Sequence, residues 1–138
     1  MAEKKKKKKK GKPKRKKIVP IKTLRNKLDK EFNAYIRERD KVCFLSGVSE
    51  NLQCSHYYDK KASPFLRWDE RNAHAMSSAT HFRHHHGKAA DYSLKMFLTY
   101  GIEYMVKLHE DAEKFYEPDR GEIIRLILYY QGKRRELK

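Results

Sequence analysis

At 138 residues with 38% hydrophobic content, the chain is long enough for one domain with a modest core and too short for two of ordinary size, so one site is expected. Its formal net charge of +16 attracts polyanions through counterion release, which puts nucleic acid first as partner and an anionic membrane surface second. No apolar run nears the roughly 20 residues of a membrane span, the basic N-terminus lacks the apolar h-region of a secretory signal, and two cysteines, Cys43 and Cys54, are too few for a disulfide framework; a soluble intracellular protein with reduced thiols is expected.

The segment from Met1 to Lys17 holds twelve Lys and Arg against Glu3, a local charge of +11 that leaves +5 for the remainder. Like charges repel and no apolar residue follows Ala2 until Ile18, so this tail is predicted to be disordered when free. Lys4, Lys5, Lys6, Lys7, Lys8, Lys9 and Lys10 are expected to act as a tether on nucleic-acid phosphates, adding affinity without sequence choice. From Lys22 to Asp40, Leu24, Leu28, Phe32, Tyr35 and Ile36 recur at helical spacing and predict an amphipathic helix.

Val42 to Gly47 is rich in strand formers and ends at a glycine, and Leu52 to Tyr58 follows after four turn-prone residues, so the two runs read as a β-hairpin. Asp59 to Trp68 reads as a loop interrupted by Pro64, and Asp69 to Asn72 as turn. A helix is predicted from Ser77 or Ser78, either of which can serve as N-cap. Beyond Gly87, Tyr92, Met96 and Tyr100 share a helical face, with Leu94, Phe97 and Leu98 beside it, and Gly101 is a natural stop. Ile102, Met105, Val106, Leu108 and Ala112 pattern a second helix ended by Pro118. Asp119 and Glu122 form a capping box for the last helix, with Ile123, Ile124, Ile127 and Leu128 as its apolar face.

The stretch from Cys54 to Gly87 holds six of the seven histidines and the only tryptophan. Hydrolysing a phosphodiester requires a base to deprotonate water and a cation to stabilise charge on the phosphoryl and leaving oxygens. His56, on a strand, could aim its ring at a phosphate. His81 and His85 are four apart, so on a helix they share a face and can grip one cation as neutral imidazoles. Asn72 lies between them in sequence, where its amide could orient the histidine base or join the metal shell. Arg67, Arg71 and Arg83, with Lys60 and Lys61, flank this set and suit phosphate contacts, a solvated surface being the plainer alternative.

A histidine at the end of a hairpin, an asparagine in the loop and histidines on the next helix resemble the HNH, or ββα-metal, endonuclease motif. C-S-H-Y-Y, R-W-D-E-R-N-A-H, F-R-H-H-H-G and the downstream Tyr100-Gly101 narrow the likeness to the phage NinG (lambda Rap) family of recombination endonucleases, which cut branched DNA such as D-loops and Holliday junctions. The likeness covers Lys22 to Lys138. It implies an α+β fold in which a ββα-metal finger (residues 42–87) is flanked by α-helices, the last of them within 88–138, behind a tail spanning 1–17. It makes His56 the general base, Asn72 the residue that holds it, and His81 and His85 the ligands of one divalent cation, Mg or Mn in the first place and Zn or Ni as alternatives. Where many HNH enzymes place a further ligand this chain has Ser55, so the third ligand is drawn from water, Asn72, His84 or His86.

The family also usually carries two C-x-x-C pairs for structural zinc. Here they read Cys43-Phe44-Leu45-Ser46 and Ser77-Ser78-Ala79-Thr80. One thiolate of four cannot make a tetrahedral site, so structural zinc is expected to be absent, with a substitute site of Cys43, Cys54 and His74 as the alternative. The implied partner is branched DNA, with no membrane, in the host-cell cytoplasm, and a homodimer would place two sites on two strands. A non-catalytic nucleic-acid-binding accessory protein with a degenerate site is the competing function.

Overall fold

The computed structural model describes residues 2–4, 6–87 and 89–138; the expectation for Lys5 lies outside these residues. The other tail lysines from Lys4 to Lys10 are exposed and belong to no helix or strand. The first helix, α1 (Ile21–Asp40), buries Leu28, Phe32, Tyr35 and Ile36, the stripe read from the sequence. It stops at Lys41, whose left-handed backbone (φ 63°) lets its N–H return to the Arg37 carbonyl, a single-bond helix termination.

The strands differ from expectation. Val42 to Gly47 forms a turn, closed by Gly47 N–H to Cys43 O and Cys43 N–H to Val48 O, and offers only Phe44 N–H to Ala75 O in the manner of a strand. The two strands are β1 (Leu52–His56) and β2 (Ala73–Ser77), antiparallel in the register Leu52 opposite Ser77 through His56 opposite Ala73. Ala73-His74-Ala75-Met76-Ser77 has weak strand propensity, yet all five residues are buried. Helices cover both of its faces, and that burial overrides propensity. The corrected order is therefore strand, long connection (residues 57–72), strand, helix, and two short 3-10 turns, Pro64–Leu66 and Glu70–Asn72, stiffen the connection.

The helix after β2, α2 (Ser78–His85), is capped by Ser77, whose Oγ accepts from Thr80 N–H. Three more follow: α3 (Ala89–Tyr100), α4 (Ile102–Ala112) and α5 (Arg120–Glu136). Gly101, at φ 84°, separates α3 from α4 as expected, while α4 ends at Ala112, short of Pro118. The Asp119–Glu122 capping box is present at the start of α5. The apolar faces are narrower than the sequence suggests: Leu94, Leu98 and Leu128 are more than half exposed, and Tyr130 is buried in their stead on α5.

Two cores hold the sheet between them. One joins α1 and α5 through Leu28, Phe32, Tyr35, Ile36, Ile123, Ile127 and Tyr130, with Trp68 and Ala73 inserted. Arg134 ties the same pair of helices by bonding Glu31 and Glu38 at 2.8 Å each. The other gathers Met76, Leu66 and Cys43 against Tyr92, Met96, Met105 and Leu108 of α3 and α4. No helix among the described residues is long and apolar enough to cross a membrane.

Candidate functional site

His56 closes β1, and its ring packs 5.8 Å from that of Phe32 on α1. Its Nε2 lies 2.8 Å from the Arg67 carbonyl oxygen. A carbonyl only accepts, so Nε2 carries the proton and Nδ1 carries the lone pair. Burial lowers the imidazole pKa below its ordinary value, the Arg67 carbonyl opposes that, and nearby Lys60 adds to it. His56 is thus held neutral near pH 7 in one tautomer, the state a general base requires.

The carbonyl that fixes this tautomer is itself anchored from three sides. Arg67 grips Asp29 of α1 with Nε and Nη2 at 3.0 and 2.6 Å. Trp68 Nε1–H donates to the same carboxylate at 2.9 Å, and Tyr130 O–H of α5 donates to the Trp68 carbonyl at 2.6 Å. Asn72 supplies the third anchor. Fully buried, it accepts from Tyr58 N–H at 2.8 Å and donates to the carbonyls of Tyr58 and Leu66 at 2.9 and 3.2 Å. Both amide hydrogens are consumed by the connection's backbone, so Asn72 neither bonds the His56 ring nor has a donor to spare. The expected direct hold on His56 is replaced by an indirect one, in which Asn72 shapes the loop and the loop presents Arg67 O.

Facing His56 across a cleft of about 270 Å³ are His81, His84 and His85 of α2, with Asn33, Cys54, Tyr57, Asp59 and Lys60 completing the lining. The His81 and His85 rings meet edge to face at 4.4 Å between centroids. Burial, and then the neighbouring histidines, lower the pKa of His81, and burial followed by His85 lowers that of His84. The Nδ1 atoms of both are buried without a hydrogen-bond partner among the described residues. No set of three or more His, Cys, Asp or Glu among those residues converges on a single metal position.

Of the alternative third ligands, only His84 lines the cleft. Ser55 is paired with His74 across the sheet and fully buried outside the lining. His86 lies past the end of α2, exposed, with its ring 4.1 Å from that of Phe82.

The arginines divide. Arg67 is committed to Asp29, and Arg71 bonds Asp69 at 2.7 Å and Asp111 at 2.9 Å. Both therefore serve the fold instead of presenting free guanidinium groups to phosphate. Arg83 is exposed on α2, Lys61 is exposed, and half-buried Lys60 sits on the cleft wall. Sequence reasoning missed Asp29, Asn33 and Asp59. Asp59 is an anion at the rim, its pKa lowered by the N–H groups of Lys61 and Ala62. Nothing in α1's periodicity marks Asp29, because its partners lie 38 and 39 positions away.

The four positions of the family's cysteine pairs lie together. Ser46 N–H approaches Cys43 Sγ at 3.4 Å, and Ser77 Oγ bonds Thr80 Oγ1 at 2.9 Å. Burial opposes ionisation of Cys43, but the Ser46 and Ser77 donors prevail and lower its pKa to about 6. Cys54 is pushed up to about 12 by burial. His74 bonds Tyr92 Oη and Tyr100 Oη with its two ring nitrogens, at 2.8 and 2.7 Å, so neither is free for the substitute zinc site.

Fold and cleft together define a small mixed α+β protein in which a two-stranded sheet and the helix after it carry a histidine-lined site. The chain matches the family described as "Bacteriophage Lambda NinG protein" over residues 1–138 and belongs to that family. It is 36% identical to "Protein ninG" of Enterobacteria phage H19B over 75 residues, 51% of this chain and 37% of the relative. It is 31% identical to "Protein ninG" of Salmonella phage P22 over 86 residues, 59% of this chain and 42% of the relative. The matched segments thus span less than half the length of these relatives. No solved structure matches.

Proposed function

We propose that the chain is a metal-dependent DNA endonuclease of the HNH type that acts on branched recombination intermediates. The observation that carries this reading is a neutral, tautomer-fixed His56 facing three histidines across one cleft, two of them with a ring nitrogen that has no partner among the described residues. The β1–β2–α2 order, with His56 ending β1 and His81 and His85 on α2, supports a ββα-metal finger.

His56 Nδ1 takes a proton from water, and the resulting hydroxide attacks phosphorus as the bond to the 3′ oxygen breaks. The departing oxygen is protonated from solvent, leaving a 5′ phosphate and a 3′ hydroxyl. Borderline-soft imidazole donors suit Mn, Zn or Ni, and Mg is accepted where water fills the remaining positions. His81 and His85, with His84 beside them, would offer imidazole lone pairs to a divalent cation whose remaining positions water fills, and such a cation would supply charge stabilisation at the phosphoryl and leaving oxygens. Lys60 and the lysine tail attract the phosphate backbone, and Arg83 extends that field along α2.

The test incubates purified chain with branched and linear DNA in Mg, Mn or EDTA. Nicking that needs metal and falls on the order of 10²- to 10⁴-fold in His56→Ala, with binding within about two-fold, is expected. Normal cutting by His56→Ala would overturn the assignment of the base. Binding without nicking under every metal would leave an accessory DNA-binding protein instead.

A further inference from the structure

Next to the histidine cleft, sharing Lys60 as a common wall, lies a second cleft of about 330 Å³ that the hydrolytic chemistry does not use. Its lining brings cations and rings together: Arg25 from α1, Lys60 and Lys61 from the connection before β2, and Phe115 and Tyr116 from the segment between α4 and α5. Glu117 is the acid among them.

Three features set this cleft apart from ordinary surface. Phe115 is 86% exposed, although its neighbours are anchored. Lys114 pairs with Asp111 at 2.8 Å, Tyr116 packs edge to face on Phe65 at 5.8 Å, and Pro118 is buried. A firmly held segment thus presents a bare aromatic ring to solvent. Arg25 lines the cleft, and its Nε has no hydrogen-bond partner among the described residues, so no acceptor there claims it. The cleft also adjoins the proposed active site, with Lys60 lining both.

Cations and aromatic rings lining one cleft suit single-stranded nucleic acid, whose bases offer π faces for stacking while phosphates track the charges. A paired duplex keeps those faces stacked inside, so it would meet the lysines but leave Phe115 unused. We propose that this cleft is a subsite for an unpaired nucleotide on a strand leaving the active site, its base stacked on Phe115 and its phosphates met by Arg25, Lys60 and Lys61. The proposal rests on reading the histidine cleft as a DNA site, and it places discrimination for unpaired or branched DNA in the segment between α4 and α5.

Binding of the full chain is measured in EDTA, so that no cutting is required, by fluorescence anisotropy on oligothymidylate, a blunt duplex and a duplex with a single-stranded arm. Phe115→Ala is expected to weaken binding to the single strand and the arm roughly ten-fold while leaving the blunt duplex within about two-fold. Phe115→Trp retains affinity. 2-Aminopurine in the arm is quenched by the native chain and by Phe115→Trp but not by Phe115→Ala. Arg25→Gln lowers the salt slope on the arm by about one. Equal weakening on all three DNAs by Phe115→Ala, or none, would overturn the subsite even if the chain nicks DNA. Selective loss would uphold it even if the chain nicks nothing. No binding to any of the three would overturn the subsite and the nuclease reading together.

Discussion

Replacing Asn72 with alanine tests whether the asparagine acts through the loop backbone. The side chain is fully buried and makes three hydrogen bonds, to Tyr58 N–H and to the carbonyls of Tyr58 and Leu66. Asn72→Ala strands the Tyr58 N–H and the Tyr58 carbonyl, each costing about 1–3 kcal/mol when left unpaired, while the Leu66 carbonyl keeps the Asp69 N–H at 3.3 Å. With partial relaxation and water entry, the expected loss is about 2–4 kcal/mol, a large share of the roughly 5–15 kcal/mol that holds a domain folded. Asn72→Asp keeps the acceptor for Tyr58 N–H but sets a carboxylate against two carbonyls. That carboxyl's folded pKa rises above its unfolded value, so its penalty is smallest in acid and grows as pH rises through the folded pKa. Urea unfolding followed by Trp68, the single tryptophan, reads stability, and nitrogen NMR of His56 reads whether its Nε2–H tautomer survives. A loss under about 1 kcal/mol with an unshifted His56 ring would refute the reasoning.

Two further outcomes follow from the same geometry. His74 lies between Tyr92 and Tyr100, and burial lowers its pKa to about 4 from an ordinary value of about 6.5, so the unfolded chain binds its proton first. Stability conferred by the neutral ring is complete above pH 6.5 and is lost as pH falls towards 4, by about 2 kcal/mol at pH 5 and about 3 kcal/mol at pH 4. Denaturation of the native chain and His74→Gln across this range should show their stability difference shrinking by that amount; a constant difference would contradict it. Deleting residues 1–17, with twelve of the 34 Lys and Arg, should weaken binding to every DNA alike and flatten the salt dependence, leaving the preference among DNA forms unchanged in a titration over salt.

Periodicity alone located α1, and the Asp119–Glu122 capping box fixed the start of α5, because both signals are local. The histidines of the cleft were also legible, since four-residue spacing on a helix is enough to place His81 beside His85. The strand pairing was not. Val42 to Gly47 has strand-forming residues but closes on itself as a turn, while Ala73 to Ser77 lacks them and becomes the strand, because it is the segment that two helical layers bury.

Asn72 shows the same division at the scale of one side chain. The sequence by itself determined that an asparagine lies between His56 and the α2 histidines, and it determined the charge, the residue types of the site and the helices that carry them. Only the tertiary structure decided that Asn72 bonds the loop, that the Arg67 carbonyl sets the His56 tautomer, and that Asp29 and Asp111 claim two of the three arginines. The physical reason is range: helical stripes and caps are written within a few residues, whereas a buried polar group takes whichever partner the fold brings to it, here 40 positions away for Arg71 and Asp111 and 62 for Tyr130 and Trp68.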